Sequence, residues 1–278
     1  MDKKRVATII LNRNLPKPTS KLCQHLQNYD GEITDIFVVE AGSDDDKLSK
    51  YVTWHVNDEE TRRQGLRYPR GMNFALHSLY RDGKFDSYDA FFLLTNDTIL
   101  KPVQTIKPLI EIFDQLPEIG ILSPCSKEWG EASLLGDGDV KFFWHIHTTA
   151  YFLRRRFIKE VCTFTEDQYT SFLFDGTNFR GFLAEVELIA KAYANDWTAA
   201  ITSKVWAEED ESHLLALHDI IKTEPYDLNI RLYVEEGLRW VHKKYGFKSH
   251  WQMQQYVIFL YNDYFKRNPS ASTFMLSF

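Results

Sequence analysis

The sequence predicts an α/β fold, a mostly parallel sheet flanked by helices with a helical C-terminal extension. Strand-like apolar runs alternate with segments of helical spacing through about the first 125 residues. Three of those runs end on polar residues, at 12–14, 40–46 and 95–98, so neighbouring strands would gather them at one sheet edge. From about residue 212 the spacing is helical throughout.

In chain order, "RVATIILN" is rich in β-branched residues and reads as a buried first strand. "SKLCQHLQNY" has helical spacing at Leu22, His25 and Leu26. "EITDIFVVEAGSDDD" is a second strand running into an acidic turn, "YVTWHVND" a short third, and "GMNFALHSLYRDG" a helix closed by Gly83. "DAFFLLTNDTIL" supplies a further strand, and "VQTIKPLIEIFDQLPE" a helix ended by Pro117. Beyond Pro124, "KFFWHIHTTAYFLRR" reads as a strand pair or one bent strand, "TEDQYTSFLFDGTNFRGF" as an aromatic turn-rich segment, and "AEVELIAKAYANDW" as an amphipathic helix. "SHLLALHDIIK", "DLNIRLYVEEGLRWVHKKYG" and "WQMQQYVIFLYNDYFKRN" are read as helices. Residues 1–211 are assigned to the α/β unit and 212–278 to the extension, although no repeat or Gly/Ser linker marks the boundary.

With 278 residues and 44% hydrophobic content the chain has ample material for a core. A net charge of −6 argues against nucleic acid as a partner, since that requires a clustered cationic surface. The three cysteines lie far apart without a CxxC pattern, which fits a reducing compartment. The basic start "MDKKRVATIILNRNLP" is broken by Asn12 and Arg13 and reads as a strand rather than a signal peptide. No run approaches the roughly 20 apolar residues that span a bilayer. The expectation is a soluble, cytoplasmic protein, with peripheral contact of the last helix to the inner face of a membrane left open. The apolar end "STFMLSF" fits a docking tail, a partner contact or the cut end of a longer chain.

The ordered motifs resemble the inverting GT-A glycosyltransferases of family 2, in particular the rhamnosyltransferase-like branch that builds surface polysaccharides. "VATIILNRN" is similar to the family's first strand ending in Asn, "IFVVEAGSDDD" to its "VVDNGSxDG" segment, and "YPRGMNFAL" to the Gly/Asn-rich segment that follows. "FFLLTNDTIL" resembles the strand carrying a degenerate DxD motif, and "FRGFLAEVELIAKAYANDW" the "EDhDLxxRxxxxGW" helix. The resemblance spans residues 5–205 and implies a Rossmann-like GT-A sheet, a nucleotide-sugar donor (UDP- or dTDP-sugar), a glycan or lipid-linked saccharide acceptor, and Mg²⁺ or Mn²⁺. It places the donor nucleotide against Asn12, Glu40, Asp44, Arg70, Asn73, Asn96 and Asp97.

The chemistry is consistent with those residue types. A breaking sugar–phosphate bond puts negative charge on a diphosphate, which a divalent cation held by a carboxylate neutralises. Asp97 is the candidate ligand; alone, an Asn-Asp-Thr turn would equally be a cap. Glu40 would accept from a pyrimidine imide or begin a solvated turn, and Asp44 would hold a ribose hydroxyl or cap the following turn. Arg67 and Arg70 are read as diphosphate contacts or exposed loop cations. An acceptor hydroxyl needs a carboxylate base. The family match puts Glu185 at that position, with Ala184 where an acid usually precedes it. Glu187 is the rival, about 200° further round a helix and spaced to pair with Lys191. His145 and His147 alternate on an expected strand and share a face, reading as substrate contacts or a two-histidine metal site. The family's late histidine has Trp206 near its position, with His213 a little later.

A nucleotidyltransferase should carry a Gly-rich loop after the first strand, which "LNRNLPKPTSK" lacks. A non-catalytic glycosyltransferase-like binding or scaffold subunit would account for Ala184 and the reduced "TND" motif.

Overall fold

The computed structural model describes residues 4–126, 131–135, 139–164, 169–210, 212 and 216–276. The strands are β1 (Val6–Asn12), β2 (Thr34–Ala41), β3 (Val52–Val56), β4 (Ala90–Thr95), β5 (Thr98–Leu100), β6 (Ile119–Cys125), β7 (Val140–Phe142), β8 (Ala150–Arg154) and β9 (Thr198–Glu209). The helices are α1 (Pro16–Asp30), α2 (Glu59–Gln64), α3 (Arg67–Arg81), α4 (Ile106–Gln115), α5 (Glu131–Leu135), α6 (Arg155–Val161), α7 (Ala184–Ala194), α8 (Tyr226–Tyr245) and α9 (His250–Arg267).

The strands form one sheet in the order β3-β2-β1-β4-β8-β6-β9-β5, with β7 also paired to β9. The pairs β1–β2, β1–β4, β2–β3 and β6–β9 are parallel. β8 runs antiparallel between β4 and β6, and β5 and β7 run antiparallel to β9. Strands covered on both faces must be apolar almost without interruption, and in β4 Ala90 through Leu94 are all buried. Register places the strand ends side by side, with Asn12 opposite Glu40 and Leu11 opposite Thr95.

Helix α3 buries Met72, Ala75, Leu76 and Leu79. It lies so close to β1 that a Cβ at Gly71 would fall 2.4 Å from Leu11 Cδ1. The C-terminal helices join the same hydrophobic core, which includes Trp240, Val241, Met253, Val257 and Tyr261.

Two expectations from the sequence are corrected, and one strand has no counterpart among them. Residues 218–222 form turns rather than a helix. The Ile221 N–H still reaches Leu217 O at 3.0 Å, but Lys222 adopts a left-handed conformation (φ 51°), and the Asn14 amide takes the Ile220 carbonyl at 2.6 Å. His145 and His147 do not lie on a strand. The chain between β7 and β8 has to cross from the partner of β9 to the far side of β6, and the two rings sit 5.8 Å apart, nearly perpendicular, in that crossing. β9 is a twelve-residue strand for which the sequence reading assigned no element.

Candidate active site

The polar ends of β1, β2 and β4 form a chain of hydrogen bonds. Asn96 Nδ2 donates to Asn12 Oδ1 at 2.7 Å, and Asn12 Nδ2 donates to Glu40 Oε2 at 2.8 Å. The same Glu40 oxygen accepts from Ser43 Oγ at 2.6 Å, and Oε1 accepts from the Ser49 N–H at 2.7 Å. Glu40 is wholly buried, so its carboxylate organises the β2 turn and orients Asn12 rather than facing a ligand directly. Asn14, left-handed at φ 56°, continues this frame: its Oδ1 accepts from the Asp44 N–H at 2.7 Å. The Asp44 carboxylate takes ion pairs from Lys222 and Lys47, which hold its pKa down at about 2.

Above this frame lies a cavity of about 220 Å³ lined by Asn12, Arg13, Thr95, Asn96 and Asp97 from the strand ends and by Gly65 to Tyr68 at the start of α3. Ile221 and Thr223 close it from the C-terminal side. Two guanidinium groups share its wall. Burial and the neighbouring Arg67 charge bring Arg13 down to about 10, and Arg67 is lowered by burial and by Arg180. The Nε–H groups of Arg13 and Arg67 and the Tyr68 hydroxyl are all buried without a hydrogen-bond partner among the described residues. Half-buried cations brought together with Nε–H donors unspent form a site suited to an anion.

The segment ending at Glu224 is strapped across this cavity. Glu224 bonds Arg67 at 3.0 Å and Arg180 at 2.7 Å, and Arg180 also reaches Glu236 of α8 at 3.1 Å. Burial opposes the Glu224 charge, but the two arginines outweigh it and hold its pKa at about 2.

Asp97, 9% exposed, sits at the turn between β4 and β5 and lines the cavity. Its carbonyl accepts from the Asp210 N–H at 3.0 Å, and Glu209 lies opposite Thr98 in the β5–β9 ladder, so the end of β9 borders the same site. Mg²⁺ and Mn²⁺ keep several waters and take one or two protein carboxylates together with phosphate oxygens. A single carboxylate on the wall of a cationic cavity fits that demand. Among the described residues no group of three or more His, Cys, Asp or Glu side chains could hold a metal by itself.

Helix α7 opens from Leu183 in a left-handed conformation (φ 68°). Burial pushes the Glu185 carboxyl up to about 7, and its Oε2 has no hydrogen-bond partner among the described residues. Its charge also opposes ionisation of Tyr68, on the cavity wall, and of Tyr233 on α8. Glu187 points elsewhere. It lies 2.7 Å from Lys244 and 3.6 Å from Lys191, and accepts from the Tyr245 hydroxyl, which ties α7 to α8.

Glu40, Asp44 and Glu185 are not among the residues that line the cavity, and Asn73 and Arg70 also stand apart from its wall. Asn73 is buried and spends its whole amide on one loop: Oδ1 accepts from the Leu173 and Phe174 N–H groups, and Nδ2 donates to Tyr169 O and Phe174 O. Arg70 donates to Gly176 O at 2.9 Å, pairs with Glu60 at 3.2 Å and lies 4.9 Å from the Phe179 ring. His213 lies outside the described residues. Arg13, Tyr68 and Glu224 were not singled out from the sequence. Arg13 follows the polar end of β1 directly, a position that could have marked it, whereas nothing local marks Glu224.

The fold is the GT-A type of α/β architecture found in glycosyltransferases. No family model and no curated protein sequence matches the chain. Solved structures do. A mannosyltransferase, PcManGT from Pyrobaculum calidifontis in complex with GDP-Man and Mn²⁺, superimposes with a TM-score of 0.58 at 10% identity over 98% of this chain and 74% of its own. S. aureus TarS in complex with UDP gives 0.52 at 14% identity, over 85% and 72%. GalNAc-T7 with UDP, GalNAc and Mn²⁺ gives 0.53 at 10% identity, over 88% and 58%.

Proposed function

We propose that the chain is an inverting glycosyltransferase that moves a sugar from a UDP- or dTDP-linked donor to a glycan or lipid-linked acceptor in surface polysaccharide biosynthesis. The observation that carries this reading is the cavity at the carboxyl ends of the strands, where Asp97 shares a wall with two half-buried guanidinium groups whose buried Nε–H donors are unspent. Nucleotide-sugar ligands in structures of the same fold support it: GDP-Man in the mannosyltransferase and UDP-GlcNAc in TarS.

In this mechanism Arg13 and Arg67 donate to the donor's phosphate oxygens, and the Asn12–Asn96 pair sets the floor on which the nucleotide lies. Asp97 would hold Mg²⁺ or Mn²⁺, which supplies positive charge to the diphosphate. Ile221 and Thr223 keep water from the site. Glu185 takes the proton of the acceptor hydroxyl. The freed oxygen lone pair attacks the anomeric carbon on the face opposite the diphosphate, and the carbon–oxygen bond to phosphate breaks with its electron pair on the leaving group. The carboxylate needs to be in its charged form, so its elevated pKa makes it a stronger base near neutral pH than an ordinary glutamate. Glu187, held by Lys244 and Tyr245, serves the α7–α8 contact.

The test is transfer or hydrolysis of UDP-, dTDP- and GDP-sugars by the purified chain with Mn²⁺. Turnover that is lost in both Asp97→Ala and Glu185→Gln supports the assignment; turnover retained in either removes that residue from its role.

A further inference from the structure

Helix α9 has one buried apolar side and an opposite side on which large aromatic rings stand among Gln252, Gln255, Asn262, Asp263 and Lys266. One side, formed by Met253, Val257, Tyr261, Tyr264 and Phe265, is buried in the core. On the other, Trp251 and Phe259 are each 63% exposed and Tyr256 is 39% exposed. At 100° per residue these three rings fall within an arc of about 140°. The buried side seats the helix firmly, so the exposed rings are held in place on a rigid platform. Large aromatics grouped on one exposed helix face mark a surface that another phase or molecule covers.

Charge indicates which. From Arg239 to Asn268 the chain carries six Lys or Arg side chains and one acidic residue, Asp263; Lys244 and Arg267 are spent on ion pairs with Asp175, Glu187, Asp196 and Asp263, which leaves four cations, although the overall charge is −6. Lys248 stands at the Trp251 end of α9 and Lys266 at the other; both are exposed and form no ion pair among the described residues. A second copy of the chain meeting this face about a two-fold axis would bring the same lysines towards one another. An anionic surface would meet the aromatic rings and the lysines together. Trp and Tyr favour the headgroup region of a bilayer, and basic residues beside an apolar helix face add attraction to anionic lipid. No described helix is long and apolar enough to cross a membrane, so the contact lies in the plane of the surface.

We propose that α9 docks this chain on the surface of an anionic lipid bilayer, with Trp251, Tyr256 and Phe259 among the headgroups and Lys248 and Lys266 against lipid phosphates. This inference stands independently of the transferase reading, since it uses no residue of the cavity.

The experiment is flotation of the purified 278-residue chain with vesicles of phosphatidylcholine alone and of phosphatidylcholine mixed with phosphatidylglycerol. Binding is expected with the mixed vesicles and to fall with added salt. Replacing Trp251 and Phe259 together by Ser should weaken it at least about tenfold per ring removed. Lys248→Gln and Lys266→Gln should each weaken it about fivefold. An unchanged melting temperature in these surface variants separates lost docking from lost folding. Failure of the wild-type chain to float with the mixed vesicles overturns the proposal, as does equal flotation of the Trp251→Ser/Phe259→Ser variant. A concentration-dependent dimer abolished by those two substitutions, without vesicle binding, would assign the face to a second copy and equally overturn it.

Discussion

Replacing Glu185 by Gln should remove activity and stabilise the protein, and the second effect should depend on pH in a defined way. Burial places the Glu185 pKa at about 7, against 4.5 for an ordinary glutamate. Below the unfolded-state value both states hold the proton and the residue is neutral to stability. Between 4.5 and 7 the unfolded chain releases the proton while the native one keeps it, so native stability falls as pH rises. Above the folded-state value the cost levels off at about 3 kcal/mol, from a gap of about 2.5 in pKa. Glutamine mimics the protonated acid and avoids this cost. Glu185→Gln should therefore be more stable than the parent by about 3 kcal/mol at about pH 8, and by less than about 1 kcal/mol at about pH 5. At about 2–4 °C per kcal/mol, thermal melts at the two pH values resolve this readily. The same substitution should cost about 10²–10⁴-fold in turnover, and parental kcat/KM should rise with pH through about 7. A melting difference that does not change between the two pH values would refute the burial argument. Retained turnover would refute the base.

Other sites should respond differently. Arg13→Ala and Arg67→Ala should each weaken nucleoside-diphosphate binding by about 10–100-fold while leaving nucleoside binding nearly unchanged, since each removes charged hydrogen bonds to phosphate; titration calorimetry with UDP and uridine separates the two. Asn73→Ala should lower stability by several kcal/mol, because four loop backbone groups lose their partners. If that variant instead folds normally and loses only nucleotide affinity, Asn73 belongs to the ligand site. Gly71→Ala should destabilise by about 1–3 kcal/mol through overpacking against Leu11, measured by denaturant unfolding.

The parallel half of the sheet was readable in the sequence because strands buried on both faces cannot hide: Ile9, Ile10, Val38, Val39 and Phe91 to Leu94 form apolar runs whose polar ends stand out. The same reasoning located Asn12, Glu40, Asn96 and Asp97 at one edge. It could not assign what each side chain spends its hydrogen bonds on. A carboxylate ending a strand looks alike whether it awaits a ligand or, as Glu40 does, satisfies Asn12, Ser43 and Ser49. Asn73 is a similar case, since its partners lie about a hundred residues further along. The strap through Glu224 depends on Arg67 and Arg180, and β9 on pairing with β5, β6 and β7, so neither leaves a strong local pattern. The expected helix at 212–222 shows the reverse: its spacing is helical, but Asn14 and a left-handed Lys222 hold the end of that stretch in turns.

The central claim is that the cavity between the strand ends and Arg67 receives a nucleoside diphosphate at Asp97. Isothermal titration of the purified chain with UDP, dTDP and GDP, each with and without Mn²⁺, tests it most directly. The account predicts binding of one of these nucleotides that strengthens with Mn²⁺, and loss of that strengthening in Asp97→Ala. Absence of binding to all three by a folded protein, or Mn²⁺-dependent binding that Asp97→Ala leaves intact, would contradict it.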